Sequence, residues 1–143
     1  MNLITKFFIL IAIISSPWLL SLGTYFNGYA HHKGEQHHIY ISAKSGFYRA
    51  QHFQGDQIYR SNIGIYASFG DVLYFFTLYG EYSDSLPPEL AEEVLEQDWE
   101  HYFRGVTRLN LIKQDNRYVG ELEQSGERLT YDRIEINGRV KPW

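Results

Sequence analysis

Residues 57–82, QIYRSNIGIYASFGDVLYFFTLYGEY, read as two strands joined by the tight turn Gly70-Asp71. Tyr59, Ile63, Ile65, Ala67 and Phe69 share one parity of the first strand, and Gly64 marks a bulge or a close backbone approach. From Val72 to Tyr82 both parities are apolar: Leu73, Phe75 and Tyr79 on one, Val72, Tyr74, Phe76 and Leu78 on the other. A strand covered on both faces reads this way.

Outward from this pair the period of two recurs. Ile39, Ile41 and Ala43 alternate with Tyr40, Ser42 and Lys44, then Ser45-Gly46 turns the chain into a strand over Phe47–Phe53, and Gly55-Asp56 turns it again. After Tyr82 the period changes. Leu90, Val94, Leu95, Trp99, Tyr102 and Phe103 form one stripe, which predicts a helix over Pro87–Phe103, capped by Asp84 or Ser85 and ended by Gly105. Strands resume over Val106–Lys113, Arg117–Glu123 and Leu129–Ile136, with turns at Gln114-Asp115-Asn116 and Ser125-Gly126 between them and a parity change near Asp132 in the last, and Asn137-Gly138 reads as a turn into a tail. The expected fold is α+β: an N-terminal hydrophobic helix, then an antiparallel, curved sheet of about seven strands in the order four strands, one helix, three strands.

The leader sets the compartment. Residues 7–26, FFILIAIISSPWLLSLGTYF, are twenty residues without a formal charge. A helix of that length matches a bilayer's hydrocarbon core. Residues 1–26 therefore read as a signal anchor or a signal peptide, 27–38 as a linker and 39–143 as an exported domain. Lys6 before the apolar run favours a cytoplasmic N-terminus. Cleavage after Gly23, or after Ala30 at Gly28-Tyr29-Ala30, is the alternative, and it would leave a periplasmic or secreted protein. Apolar character continuing past Pro17 through Trp18, Leu19, Leu20 and Leu22 favours an anchor through Phe7–Phe26 in the inner membrane, single-pass, with a periplasmic C-terminal domain.

A length of 143 residues fits one domain, and a net charge of −4 argues against a nucleic-acid binder. The absence of cysteine excludes disulfides, thiolate metal sites and thiol catalysis. No nucleophile elbow, zinc-protease pair or phosphate loop occurs, so no catalytic residue and no cofactor is expected. His31, His32, His37 and His38 are weak metal candidates, since their spacing matches no helical ligand pair and a solvated linker explains them. Eight acids between Glu81 and Glu100, with no Lys or Arg among them, read as a solvated helix face or a docking surface for a basic partner. The abundant feature is aromatic. Tyr66, Tyr74, Phe76, Trp99 and Tyr102 are the candidate ligand- or partner-binding residues, weighed against an ordinary core.

The layout resembles the small accessory membrane proteins paired with ToxR-like transmembrane transcription regulators (ToxS-like and FidL-like proteins). The matching stretches are Phe7–Phe26, Gln57–Tyr82, Ser83-Asp84-Ser85-Leu86-Pro87-Pro88-Glu89-Leu90, Leu109-Asn110-Leu111-Ile112-Lys113 and Arg117-Tyr118-Val119. The resemblance implies an inner-membrane, non-catalytic protein whose periplasmic domain binds and stabilises a regulator. Some members form a barrel with the partner and hold a small amphipathic, bile-salt-like ligand. The alternative expectation is a cleaved protein holding a small apolar ligand in a curved sheet, with an envelope hydrolase as a third class.

Overall fold

The computed structural model describes residues 2–31, 37–84, 88, 106–123 and 133–141. A helix α1 (Leu3–Ser21) precedes eight strands: β1 (Tyr25–His31), β2 (His37–Lys44), β3 (Phe47–Gln54), β4 (Gln57–Phe69), β5 (Val72–Tyr82), β6 (Val106–Gln114), β7 (Arg117–Glu123) and β8 (Arg133–Arg139). Each strand pairs antiparallel with the next, and β1 pairs with β8, so the sheet closes into an up-and-down barrel. The expected helix over Pro87–Phe103, including Trp99 and Tyr102, and the turn and parity change over 124–132 lie outside the described residues.

The antiparallel sheet after an apolar helix is as expected, but the expectation of a curved sheet of about seven strands is corrected. The barrel has eight strands and is closed. The extra strand is β1, YFNGYAH, which alternates exposed and buried positions and buries Phe26, Gly28 and Ala30. Its N-terminal residues extend the leader's apolar run and its centre is a glycine, so its period of two is masked. Consequently α1 ends at Ser21, not at Phe26, and the stretch read as a linker over 27–38 contains most of β1 and the start of β2. Asn137-Gly138 is also no turn: both residues stay in β8, opposite Asn27 and Phe26 of β1.

The two ends of the barrel differ. At the base, where α1 arrives, the hairpins turn through Ser45-Gly46, Gly70-Asp71 and Asp115-Asn116. Apart from the turn at Gly55-Asp56, the connections at the far rim are longer, running from His31 to His37, from Tyr82 to Val106 and from Glu123 to Arg133.

Inward-facing residues from every strand form the core. Phe26, Tyr48, Tyr66 and Phe75 meet inside it, with ring centroids 5.4 Å apart for Phe26–Tyr66 and 5.0 Å for Tyr48–Phe75, both edge-on. Leu73, Leu109, Leu111, Ile134, Ile136 and Val140 complete the packing. An eight-stranded barrel has an interior about wide enough for side chains to fill.

The inner parity of β4 is Arg60, Asn62, Gly64, Tyr66 and Ser68, all buried. The apolar parity with Ile65, Ala67 and Phe69 faces outward. It is still sheltered in part, because α1 packs on β4.

Gly64 sits where the β4–β5 register shifts, between Ile63 and Gly64. A Cβ there would lie 2.0 Å from the carbonyl oxygen of Phe76 and 2.7 Å from the Tyr48 ring. Backbone cannot yield as a side-chain tip does, so Gly64→Ala should destabilise the barrel by about 3 kcal/mol, at the upper end for an overpacked core. Urea unfolding of the two proteins measures this, and an unchanged midpoint would show that the bulge can relax.

Candidate functional site

The joint between helix and barrel is built from short polar contacts. The Trp18 indole N–H donates to the carbonyl oxygen of Gly46 at 3.3 Å, and its ring meets Phe47 edge-on at 6.0 Å. Gly46 has φ +83°, and a Cβ on it would come within 2.7 Å of Trp18 Nε1 and 2.9 Å of Ser21 Oγ, so glycine lets the hairpin reach the helix. The Thr24 hydroxyl donates to the Ser21 carbonyl at 2.6 Å, which leaves its oxygen to accept from the Tyr66 hydroxyl, also at 2.6 Å. The Ser45 amide donates to the Thr24 carbonyl at 2.9 Å. Ser21, Thr24 and Tyr66 are fully buried, and burial pushes the Tyr66 hydroxyl above its ordinary pKa, keeping it a neutral donor.

Beside this joint lies an apolar groove of about 430 Å³. One wall is Ile14, Pro17 and Trp18 of α1; the other is Ile65, Ala67 and Phe69 of β4 with Tyr74 and Phe76 of β5. Tyr66 also borders it, although its ring points into the core. The structure thus gathers three of the sequence-selected residues, Tyr66, Tyr74 and Phe76, along one groove. The helix side of that groove escaped sequence reading, because the leader was read only as a membrane or export segment. The lining suits an acyl chain or an apolar side chain.

A second arrangement lies inside the far half of the barrel. His52, Arg60 and Tyr82 stand opposite one another on β3, β4 and β5. Arg60 Nε donates to Asn62 Oδ1 at 2.8 Å, Asn62 Nδ2 lies 3.4 Å from His52 Nε2, and the Arg60 guanidinium sits 5.4 Å from the Tyr82 ring centroid. His52, Arg60 and Asn62 are buried. Burial first, and then the Arg60 cation, push His52 down from 6.5 to about 3. A neutral His52 can accept from Asn62. The signal for this ladder was the polar parity Arg60-Asn62 within an otherwise apolar strand, the opposite parity to the one that sequence reading grouped.

The histidines of the former linker separate. His31 and His38 are register partners on β1 and β2, with parallel rings 6.3 Å apart, and His38 stacks on Phe53 at 4.6 Å. His32 lies outside the described residues, as does the side chain of His37. Among the described residues no three His, Asp or Glu converge to hold a metal.

On the outer wall, β5 pairs with β6 only over Val72–Phe76. Among the described residues, the strand pairing of Gly80–Tyr82, Tyr79 and Thr77 is with β4. Leu78 is 69% exposed and Tyr79 57%, so this ribbon presents an apolar outer face.

Comparison with known protein families and with characterised proteins gives no match, so the functional reading rests on these residues.

His52 makes a sign-definite prediction. Its folded pKa lies below the unfolded value, so the unfolded chain binds the extra proton between pH 6.5 and about 3. The neutral state's contribution is complete above pH 6.5 and is lost as pH falls. At pH 5 the loss is about 2 kcal/mol relative to pH 7.5. His52→Gln keeps a side chain that can bond Asn62 and removes the titration. The difference in unfolding free energy between the two proteins, followed from pH 7.5 to 5, should narrow by about that amount; parallel curves would place His52 in contact with water.

Proposed function

We propose that this chain is a membrane-anchored, non-catalytic accessory protein of the bacterial envelope. α1 holds it in the inner membrane and the periplasmic barrel binds a protein partner. The observation that carries this reading is the character of α1. It is nineteen residues long, long and apolar enough to cross a membrane, and exposes large apolar side chains from Leu3 to Ile14, while its last turn is built into the barrel base. A helix apolar all round needs a partner phase other than water.

Both candidate cleavage sites are costly in this fold, which supports retention of the helix. Cutting after Gly23 would remove Trp18 and Ser21 from the joint. Cutting after Ala30 would remove nearly all of β1 and open the barrel. A small amphipathic ligand remains compatible with the anchored form, because the apolar groove needs Ile14, Pro17 and Trp18.

The partner surface of this reading is the outer face of the β4–β5 ribbon around Leu78 and Tyr79. The barrel closes within one chain, so it needs no partner strand to complete it; the partner docks outside. A transmembrane regulator of the ToxR-like class is the partner that the layout resemblance suggests.

The test has two readouts on cells making the full chain. Intact mass in the membrane fraction should be full-length, and a shortened soluble protein would end the anchor reading. A photo-crosslinking residue at Leu78 should give one discrete adduct, and the same residue at Ile112 on β6 none. Equal labelling from both sites, or from neither, would remove the ribbon as the docking face.

A further inference from the structure

The joint leaves the barrel no freedom to stand away from whatever holds α1. Three residues, Leu22–Thr24, separate α1 from β1, and Thr24 is hydrogen-bonded both to Ser21 and to Tyr66. Nineteen helical residues span about 28 Å, close to the hydrocarbon thickness of a bilayer. A helix that crosses the bilayer therefore brings Ser21 to headgroup level, and with it the barrel base, whose β4–β5 corner beside Ile14–Trp18 reaches the headgroup–acyl boundary. This step rests on the anchor reading above.

The base has the chemistry of that level. Tyr25, Phe47 and Phe69, at strand ends around the helix exit, are 59%, 57% and 62% exposed. In water such rings at hairpin tips are unfavourable, and at a membrane interface amphipathic and aromatic rings are favoured. Cations lie among them. Lys44, Lys113, Arg117, Arg139 and Lys141 all sit at or beside the base ends of their strands, against the acids Asp71 and Asp115. Asp71 is paired with Lys141. Among the described residues, the far rim on the β3–β5 side has the opposite sign, carrying the acids Asp56, Glu81 and Asp84.

We infer that the barrel base is a second membrane contact, a seat for an anionic phospholipid surface. Tyr25, Phe47 and Phe69 enter the headgroup–acyl boundary, and Lys44, Lys113, Arg117 and Arg139 neutralise lipid phosphates. The polarity of charge along the barrel axis turns the acidic far rim away from the same surface.

The chain has no cysteine, so single-cysteine variants carry a fluorophore at one defined place. Ile9→Cys reports on α1, Asn116→Cys on the base and Asp56→Cys on the far rim. Each full-length protein is reconstituted into phosphatidylcholine vesicles with or without phosphatidylglycerol, containing a lipid-borne quencher at mid-chain depth to read Ile9 and, in a parallel set, one at shallow depth to read Asn116 and Asp56. Quenching is expected at Ile9 and Asn116 and not at Asp56. It should be stronger at Asn116 when phosphatidylglycerol is present, and Lys44→Gln or Arg139→Gln should each shift the seated-to-lifted ratio about fivefold. Quenching at Ile9 with Asn116 as accessible as Asp56 would overturn the seat and leave the anchor standing. No quenching at Ile9 would overturn both. Equal quenching at Asn116 in the two lipids would overturn the electrostatic half of the proposal.

Discussion

The pairing of β1 with β8, from Tyr25 opposite Arg139 to Tyr29 opposite Glu135, is the constraint on which the other features depend. It removes the two edges that an eight-strand meander would otherwise expose. The antiparallel order puts three two-residue turns at the base, and the turn at Gly55-Asp56 with three longer crossings at the far rim. Since only three residues separate β1 from α1, closure draws the helix to the base as well. The strand that shuts the barrel is thus also the strap that ties it to the apolar helix. Tyr66 links the two roles, because its ring packs on Phe26 of β1 while its hydroxyl bonds Thr24.

The interior is polarised along its axis. Toward the base it is filled by Phe26, Tyr48, Tyr66 and Phe75, where dispersion and edge-on ring contacts need no exact partner. Toward the far rim the row His52, Arg60 and Tyr82, with Asn62, replaces packing by specific polar contacts. The row spans β3, β4 and β5 through Asn62 beside His52 and the Arg60 guanidinium beside the Tyr82 ring, so a slip of register between these strands would break specific contacts. A neutral His52 belongs to that arrangement. Its protonation would put a charge in a buried site and beside the Arg60 cation, which is the physical reason that acid should weaken this end of the barrel.

What the sequence revealed follows from range. Turns are local: Ser45-Gly46, Gly55-Asp56, Gly70-Asp71 and Asp115-Asn116 all lie where their residue types put them, and the strands between them were legible for the same reason. Closure is not local. Nothing in YFNGYAH announces a partner near the other end of the chain, and its apolar residues merge with the leader. The parity of β4 was ambiguous for a different reason. Ile65, Ala67 and Phe69 are apolar because α1 and the groove lie over them, not because they line the barrel, and hydropathy does not distinguish the two kinds of cover. Tyr74 and Phe76 could be singled out as aromatic surface candidates, whereas Ile14, Pro17 and Trp18 could not, since a membrane or export role already accounted for them.

A domain on a flexible tether samples every orientation relative to its anchor, whereas this barrel is jointed directly to α1. Extended chain covers at most about 3.5 Å per residue, so three residues reach roughly 10 Å even when free, and Thr24 is held at both ends. With α1 across a bilayer, the barrel axis is set relative to the membrane plane. The thirteen residues of β4 then set the height of the far rim. At about 3.3 Å per residue and a strand tilt near 40°, that rim stands roughly 30 Å above the base. The ribbon bearing Leu78 and Tyr79 lies on the upper half of the same wall, so its height is fixed too. A partner embedded in the same membrane would meet that face at one height and in one orientation. Such a fixed height would lower the entropic cost of association and let a modest apolar face suffice, which is the physical case for the proposed docking face on the wall of a rigidly jointed barrel.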